Sequence, residues 1–405
     1  MQLGENNVQN YYIDKSIFHS YDSDYGGQNM PTGLDYQGIE WKTEMSHTTR
    51  QALRENRNHK YVPFRQFSQE EMSSYPLKKG KGYEAFYTFE KFYKIPNLWC
   101  GHFQLKRNLL TPTKTDIIYP SSMGFSHYSL LEFKEKKFNI KDEFHPVGMN
   151  YYKDLVAMAS LEGSLAIYSL PKQKILFQNK IIKNDSINNC VTFFKQPEAH
   201  HLKCCCGGND NSIQVFDVSH EVKLVAKYLM ESPVNDLRVS PEGNLLLILE
   251  DQKECAIKDL RSGETIMMLR GHEDYGFSGD WHPSGFFVAT GNQDSTCRIW
   301  DLRKSDKSVN VLQAHIGTVC SLNYSKTGSH LVMAENVDFV NIYDVSNNYE
   351  SMQVIDFFGE VTGISFDNED GDSLFFGVML EGRNGVFEYN LKKSKPQAIL
   401  SNFTF

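Results

Sequence analysis

HEDYGFSGDWHPSGFFVATGNQDSTCRIWDLR, residues 272–303, is the stretch whose reading decides the fold. It holds one structural cycle. His272 opens it, and Gly279-Asp280-Trp281 leads into a turn at His282-Pro283-Ser284-Gly285. An apolar run from Phe286 to Thr290 follows, then a tight turn from Gly291 to Asp294. A third run, Thr296 to Trp300, ends at Asp301. Short apolar runs, each closed by Gly, Asn, Asp or Pro, predict successive antiparallel strands.

The same cycle recurs on both sides. The ends of equivalent third strands fall at Ser169, Asp217, Asp259, Asp301, Asp344 and Asn390, spaced by 48, 42, 42, 43 and 46 residues. First strands give a second register. Trp281 lies nine residues after His272, Tyr324 nine after His315 and Phe366 nine after Phe357, with Val239 in the matching place one unit earlier. The turns that follow carry glycine, at Gly243, Gly285 and Gly328, as hairpins require. A period of about 40–45 residues with four strands per unit is the mark of a β-propeller. Six units are visible. A seventh is expected over residues 98–131, with LWCGHFQL, DIIYPS and HYSLLEF as strands and Thr111-Pro112-Thr113-Lys114 as a turn. The ring must then be sealed by a strand from one end of the chain, either residues 83–93 or 398–405. Sealing removes the exposed edges of an open sheet.

Upstream, residues 1–84 differ from the rest. They are rich in Asn, Gln, Ser, Tyr and charge, and are expected to form an arm, disordered to about residue 30 with one short helix over 43–58. Trp41 stands in polar sequence there, and reads as an anchor onto the domain or a docking motif. The propeller then occupies 85–405. The net charge of −8 argues against a nucleic-acid partner, since that role needs a basic face. No apolar run approaches the 18 residues of a membrane span, so no membrane partner is expected. Eight scattered cysteines and no secretory leader predict an intracellular protein, cytoplasmic and/or nuclear, with reduced thiols. Cys204-Cys205-Cys206 after His200-His201 is the one metal-like cluster. Neighbours on a strand point to opposite faces and cannot converge on one ion, so these read as buried small hydrophobes. No phosphate loop, nucleophile elbow or zinc-protease motif occurs. No cofactor and no enzymatic activity are predicted.

The order His272, Gly291-Asn292-Gln293-Asp294, Trp300-Asp301 resembles the signature of a WD repeat. Over longer stretches (DYQGIEW at 35–41, 281–303, AENVDFVNIYD at 334–344 and IDFFGEVTGISF at 355–366) the chain resembles a largely uncharacterised intracellular branch of the WD-repeat (WD40) proteins. The resemblance implies an all-β, seven-bladed WD40 β-propeller without known catalysis. It also implies that His272, Thr290, Asp294 and Trp300 form a buried hydrogen-bonded chain that holds one blade together. The following unit keeps His315 and Asp338 of this set, and the last has Phe357 where the histidine would stand.

Two surface readings follow. On a propeller the second-to-third-strand turns and the inter-blade loops open on the same, narrow face. Tyr275, Asn292, Gln293, Phe339, Phe357 and Phe358, with the acidic Asp274, Glu335 and Asp356, are expected there as an aromatic rim that binds a protein or peptide. The competing reading packs Phe357 and Phe358 between blades. Separately, Trp300-Asp301-Leu302-Arg303 resembles the Trp-Asp-x-Arg box of substrate receptors of cullin-RING ubiquitin ligases, with Arg303 as the adaptor contact. The expected molecule is a monomeric propeller working within a complex.

Overall fold

The computed structural model describes residues 77–78, 82–83, 85–182, 186–197, 201–380 and 383–392. All regular elements among them are strands. The predicted 43–58 helix, Trp41 and residues 398–405 lie outside the described residues.

Seven four-stranded antiparallel units follow one another; six run from inner to outer strand in chain order, and the seventh takes its outer strand from the N-terminal side. Blade one comprises Leu110–Thr113, Asp116–Ser121, Gly124–Ser129 and Lys134–Asn139. Blades two, three and four span 146–180, 188–229 and 234–269. Blade five is Gly276–Trp281, Phe287–Asn292, Thr296–Asp301 and Asn310–Gln313. Blade six starts with Val319–Tyr324, His330–Glu335 and Val337–Asp344. Its outer strand is the first half of the long strand Ser351–Phe366, whose second half is the inner strand of blade seven. The seven inner strands pack on one another in sequence order, and the last packs on the first, so the ring is closed.

Both registers read from the sequence match strand ends. Ser169, Asp217, Asp259, Asp301 and Asp344 each end a third strand, and Asn390 stands one residue before the end of its own. Val239, Trp281, Tyr324 and Phe366 each end an inner strand. Inner and middle strands read as near-continuous buried runs because each sheet is covered on both faces by its neighbours.

The seal comes from the N-terminal side. Tyr87–Lys94 pairs antiparallel with Gly385–Leu391, from Leu391↔Tyr87 to Gly385↔Lys94, and completes blade seven. Gln353 of blade six clamps its start, accepting from the Tyr87 amide and donating to the Tyr87 carbonyl, both at 2.8 Å. Further upstream, Leu77–Lys78 pairs in parallel with the outer strand of blade five, and Gly82–Tyr83 with that of blade six.

Blade one departs from expectation. Its inner strand is Leu110–Thr113, so Thr111-Pro112-Thr113 lies in a strand and the turn falls at 114–115. Pro112 is tolerated because this short strand pairs irregularly, only Leu110 and Thr113 holding register. LWCGHFQL is not a strand. The cysteine triplet alternates as the strand pleat demands: Cys204 and Cys206 enter one core cluster and Cys205 the next. All eight cysteines are free, and burial pushes the Cys205 and Cys206 thiols well up.

Candidate functional site

Residues 99–109, of which 99–105 read from sequence as part of a strand, instead cross the centre of the ring. A narrow cavity there is lined by Leu105, Lys106 and Arg107 together with inner-strand residues of blades two to six. Arg107 bridges to Gly148 of blade two. Its guanidinium donates to Asp236 at 3.2 Å and to the Leu237 carbonyl at 3.1 Å, both in blade four. Lys106 is wholly buried and reaches Glu360 at the entrance to blade seven. Burial alone would lower its ammonium pKa, but the Cys100 sulfur and the Glu360 carboxylate outweigh this and hold it above the usual lysine range. A Cβ on Gly363 would strike the Lys106 carbonyl and the Asn108 and Leu109 amides, so only glycine admits the segment at that point. The channel of this propeller is therefore filled by its own chain.

The tip of this plug emerges among the loops between blades. Gln104 donates to Gln293 in the second-to-third-strand turn of blade five at 2.9 Å. The Gln293 amide in turn donates to the Tyr275 carbonyl at 2.9 Å. Phe103 is 58% exposed and stacks on His102 with ring centres 4.8 Å apart. Tyr275 is 45% exposed. The His102 Nδ1 accepts from the Gln104 and Leu105 amides, each at 3.2 Å. Burial, and next the charge of Lys106, lower its pKa to about 4.

The structure brings the four blade-five residues together. His272 Nδ1 lies 2.9 Å from Asp294, His272 Nε2 lies 2.8 Å from the Thr290 hydroxyl, and the Trp300 indole donates to that hydroxyl at 2.8 Å. The network sets the tautomer: Nδ1–H donates to Asp294, and Nε2 accepts from Thr290. Sequence reading missed a fifth member. The Thr296 hydroxyl donates to Asp294 at 2.6 Å. Burial would raise the Asp294 carboxyl, but the His272 ring, Thr296 and the Glu273 amide together hold it below the usual carboxylate range.

Elsewhere the pairing differs from expectation. His315 bonds to Glu335 at 3.1 Å, not to Asp338, which accepts from the Gly359 amide at 2.8 Å. Glu335 ends the second strand instead of entering the turn, because that turn has shrunk to Asn336 alone. In blade two, His145 and Glu162 take the places of His272 and Asp294, with Nδ1 at 2.6 Å from the carboxylate. Donor atoms of Glu143, His145 and Glu162 all lie within 4.8 Å of one another.

The expected aromatic rim is not formed as read. Phe357 and Phe358 are buried, and Phe357 packs on Phe376 and Phe387 in the core of blade seven. They occupy the middle of the continuous strand Ser351–Phe366, where no open loop exists. Glu335 is fully buried, accepting from His315, Gly317 and Asn341 among others. Phe339 is buried and stacks on the His315 ring at 4.5 Å. Asn292 is buried and caps the Asp274 carbonyl at 2.7 Å. Asp356 is half-buried, opposite Phe339. Of the set, Tyr275 is exposed, and Asp274 and Gln293 beside it are half-buried.

Arg303 lies past the third strand of blade five. It grips Asp301 through Nε at 2.9 Å and Nη2 at 2.8 Å, and sits 5.0 Å from the centre of the exposed Phe286 ring.

Comparison with known proteins agrees with this architecture. The model of the family described as "WD domain, G-beta repeat" matches residues 263–301. The chain is 21% identical to pre-mRNA-processing factor 19 of Oryza sativa subsp. japonica over 256 residues, 60% of this chain and 47% of that protein. Against pre-mRNA-processing factor 19 of Bos taurus the figures are 26% over 188 residues, 41% of this chain and 36% of that protein. A shorter stretch of 90 residues is 33% identical to WD repeat-containing protein 37 of Xenopus tropicalis, 22% of this chain and 18% of that protein. The chain thus spans less than half the length of each of these relatives. Repeat period, blade topology, the hydrogen-bonded blade-five set and these matches converge: the chain carries a WD repeat over residues 263–301 and has the fold of WD-repeat propellers.

Proposed function

We propose that the protein is a non-enzymatic interaction platform that docks a protein or peptide on its narrow face, around the mouth of the filled channel. The observation that carries this is the exposed Phe103 on the plug tip, linked through Gln104 and Gln293 to the exposed Tyr275. Two aromatic anchors set in a polar surround suit a contact of this kind. The plug also removes the channel as a ligand pocket, which moves recognition to the surface above it. The relatives named as pre-mRNA-processing factors support a nuclear setting within a multiprotein assembly. Proximity labelling of wild type against Phe103→Ala/Tyr275→Ala tests the reading. Partners should drop out of the variant while its melting temperature holds; an unchanged partner list overturns it.

A second reading rests on Arg303, whose side chain is exposed beside Phe286 on the opposite face. As the adaptor contact of a ubiquitin-ligase receptor, Arg303→Ala should abolish adaptor co-purification without altering stability. Unchanged co-purification removes this reading.

A further inference from the structure

The loops around the mouth of the channel carry more acid than base. Asp142 and Glu143, between blades one and two, and Glu231, between blades three and four, are exposed, and none of them forms an ion pair among the described residues. Glu162, Asp251 and Glu273 lie on the same arc. The cations there are fewer and partly taken. Lys253 reaches Glu273 at 2.7 Å, Arg270 lies 4.0 Å from Glu254, and Arg383 is half-buried, while Lys141 is exposed. The opposite face is mixed, with Lys172, Arg303 and Lys304 on the same kind of turn as Glu221, Glu242 and Glu350.

Two acidic stretches of this arc flank the plug tip. On one side Trp99 lies 6.2 Å from the His145 ring, and His145 holds Glu162 at 2.6 Å with the Glu143 carboxylate beside the pair. On the other side Asn235 donates to Asp251 at 2.8 Å and to the Gly276 carbonyl at 3.0 Å, which sets blade-four acid next to Tyr275. Burial lifts the Glu250 carboxyl at this end of blade four above its usual range, and the nearby Glu231 charge adds to the lift. The exposed rings of Phe103 and Tyr275 thus stand between carboxylates that positive charge does not balance.

We propose that the segment docked on this face is basic: an extended, lysine- or arginine-rich stretch of a partner protein. Its cations meet Glu143 and Glu162 on one side and Glu231 and Asp251 on the other, and it lies across Phe103 and Tyr275 between them. This rests on the reading of the narrow face as a docking surface, and it names the chemistry of the partner. Aromatic rings attract cations over their faces. Lysine and arginine carry apolar stems that can cover such rings while their heads reach the carboxylates. Opposite charge also speeds encounter and fixes orientation, and the net charge of −8 draws a cationic partner from a distance. An acidic segment would be repelled, and a purely apolar one would leave the carboxylates unanswered.

Random peptides displayed on phage and panned against the full chain test it. Sequences recovered on wild type should be enriched in Lys and Arg over the starting library. A recovered peptide should bind Glu143→Gln/Glu231→Gln at least about tenfold more weakly, and its affinity for wild type should fall as salt rises. Both replaced side chains are exposed, so the melting temperature should hold. Glu242→Gln/Glu350→Gln removes the same charge from the opposite face and should bind as wild type does. An equal loss in that control would mean that net charge alone acts, and overturns the proposal. So does recovery of no sequences, recovery without the enrichment, or unchanged affinity in Glu143→Gln/Glu231→Gln. The docking reading fails separately: if Phe103→Ala/Tyr275→Ala sheds partners in proximity labelling while Glu143→Gln/Glu231→Gln keeps them, that reading stands and the basic partner falls.

Discussion

Arg107 and Asp236 meet at 3.2 Å across the centre of the ring although 129 residues separate them in sequence. Asp236 also accepts from Arg238 at 3.0 Å and from the Gly279 amide at 3.2 Å. One carboxylate thus answers two guanidiniums and ties the plug to blades four and five. Asp236→Ala should cost about 3–5 kcal/mol, the range for stranding buried charge. Arg107→Ala should cost less, because Asp236 keeps Arg238. Urea unfolding of the two variants checks the order.

Thr290 is the joint of the blade-five chain. Thr290→Val keeps the shape and removes the hydroxyl, so the Trp300 indole N–H and the His272 Nε2 both lose their partner. At about 1–3 kcal/mol per orphaned group, a loss of about 2–6 kcal/mol is expected in denaturant unfolding.

Acid should attack the fold at two places. The Asp294 carboxyl is held below its unfolded value. Its contribution is therefore complete above the unfolded pKa near 4 and lost as pH falls through the lower folded value. His102 is depressed to about 4, so its contribution is complete above about 6.5 and fades as pH falls toward 4. Melting temperature should fall more steeply between pH 6.5 and 4 for wild type than for His102→Asn, whose amide oxygen can still accept from the loop amides. Asp294→Asn should flatten the fall below pH 4. His102 should remain neutral by NMR at pH 5.5.

Phe357 and Phe358 are core residues, so Phe357→Ala should destabilise by about 3–5 kcal/mol, as large-to-small aromatic changes in cores do. The effect should appear in unfolding curves of the purified protein without any partner present.

The sequence displayed what repeats. Third-strand ends from Asp217 to Asp344 and inner-strand ends at Val239, Trp281, Tyr324 and Phe366 were legible because the pleat and the turns impose one pattern on every blade. What does not repeat was hidden. The plug at 99–109 carries the adjacent bases Lys106 and Arg107 in mixed sequence, and only the opposed carboxylates of Glu360 and Asp236, distant in sequence, explain how they go inside. Phe357 and Phe358 were ambiguous because a loop and an unbroken strand between blades have the same composition here. Glu335 misled because an acidic residue beside a turn is ordinarily solvated, and its donors include the His315 and Gly317 amides, 20 and 18 residues away, and Asn341 on the next strand.

The closing strand has a temporal consequence. Tyr87–Lys94 leaves the ribosome about 300 residues before Gly385–Leu391, its only antiparallel partner. Until Gly385–Leu391 is made the ring stays an open arc with a bare edge at each end, and Tyr87–Lys94 waits for its place. Closure of the ring therefore awaits the synthesis of Gly385–Leu391, and the interval before it is when a chaperone has most to do.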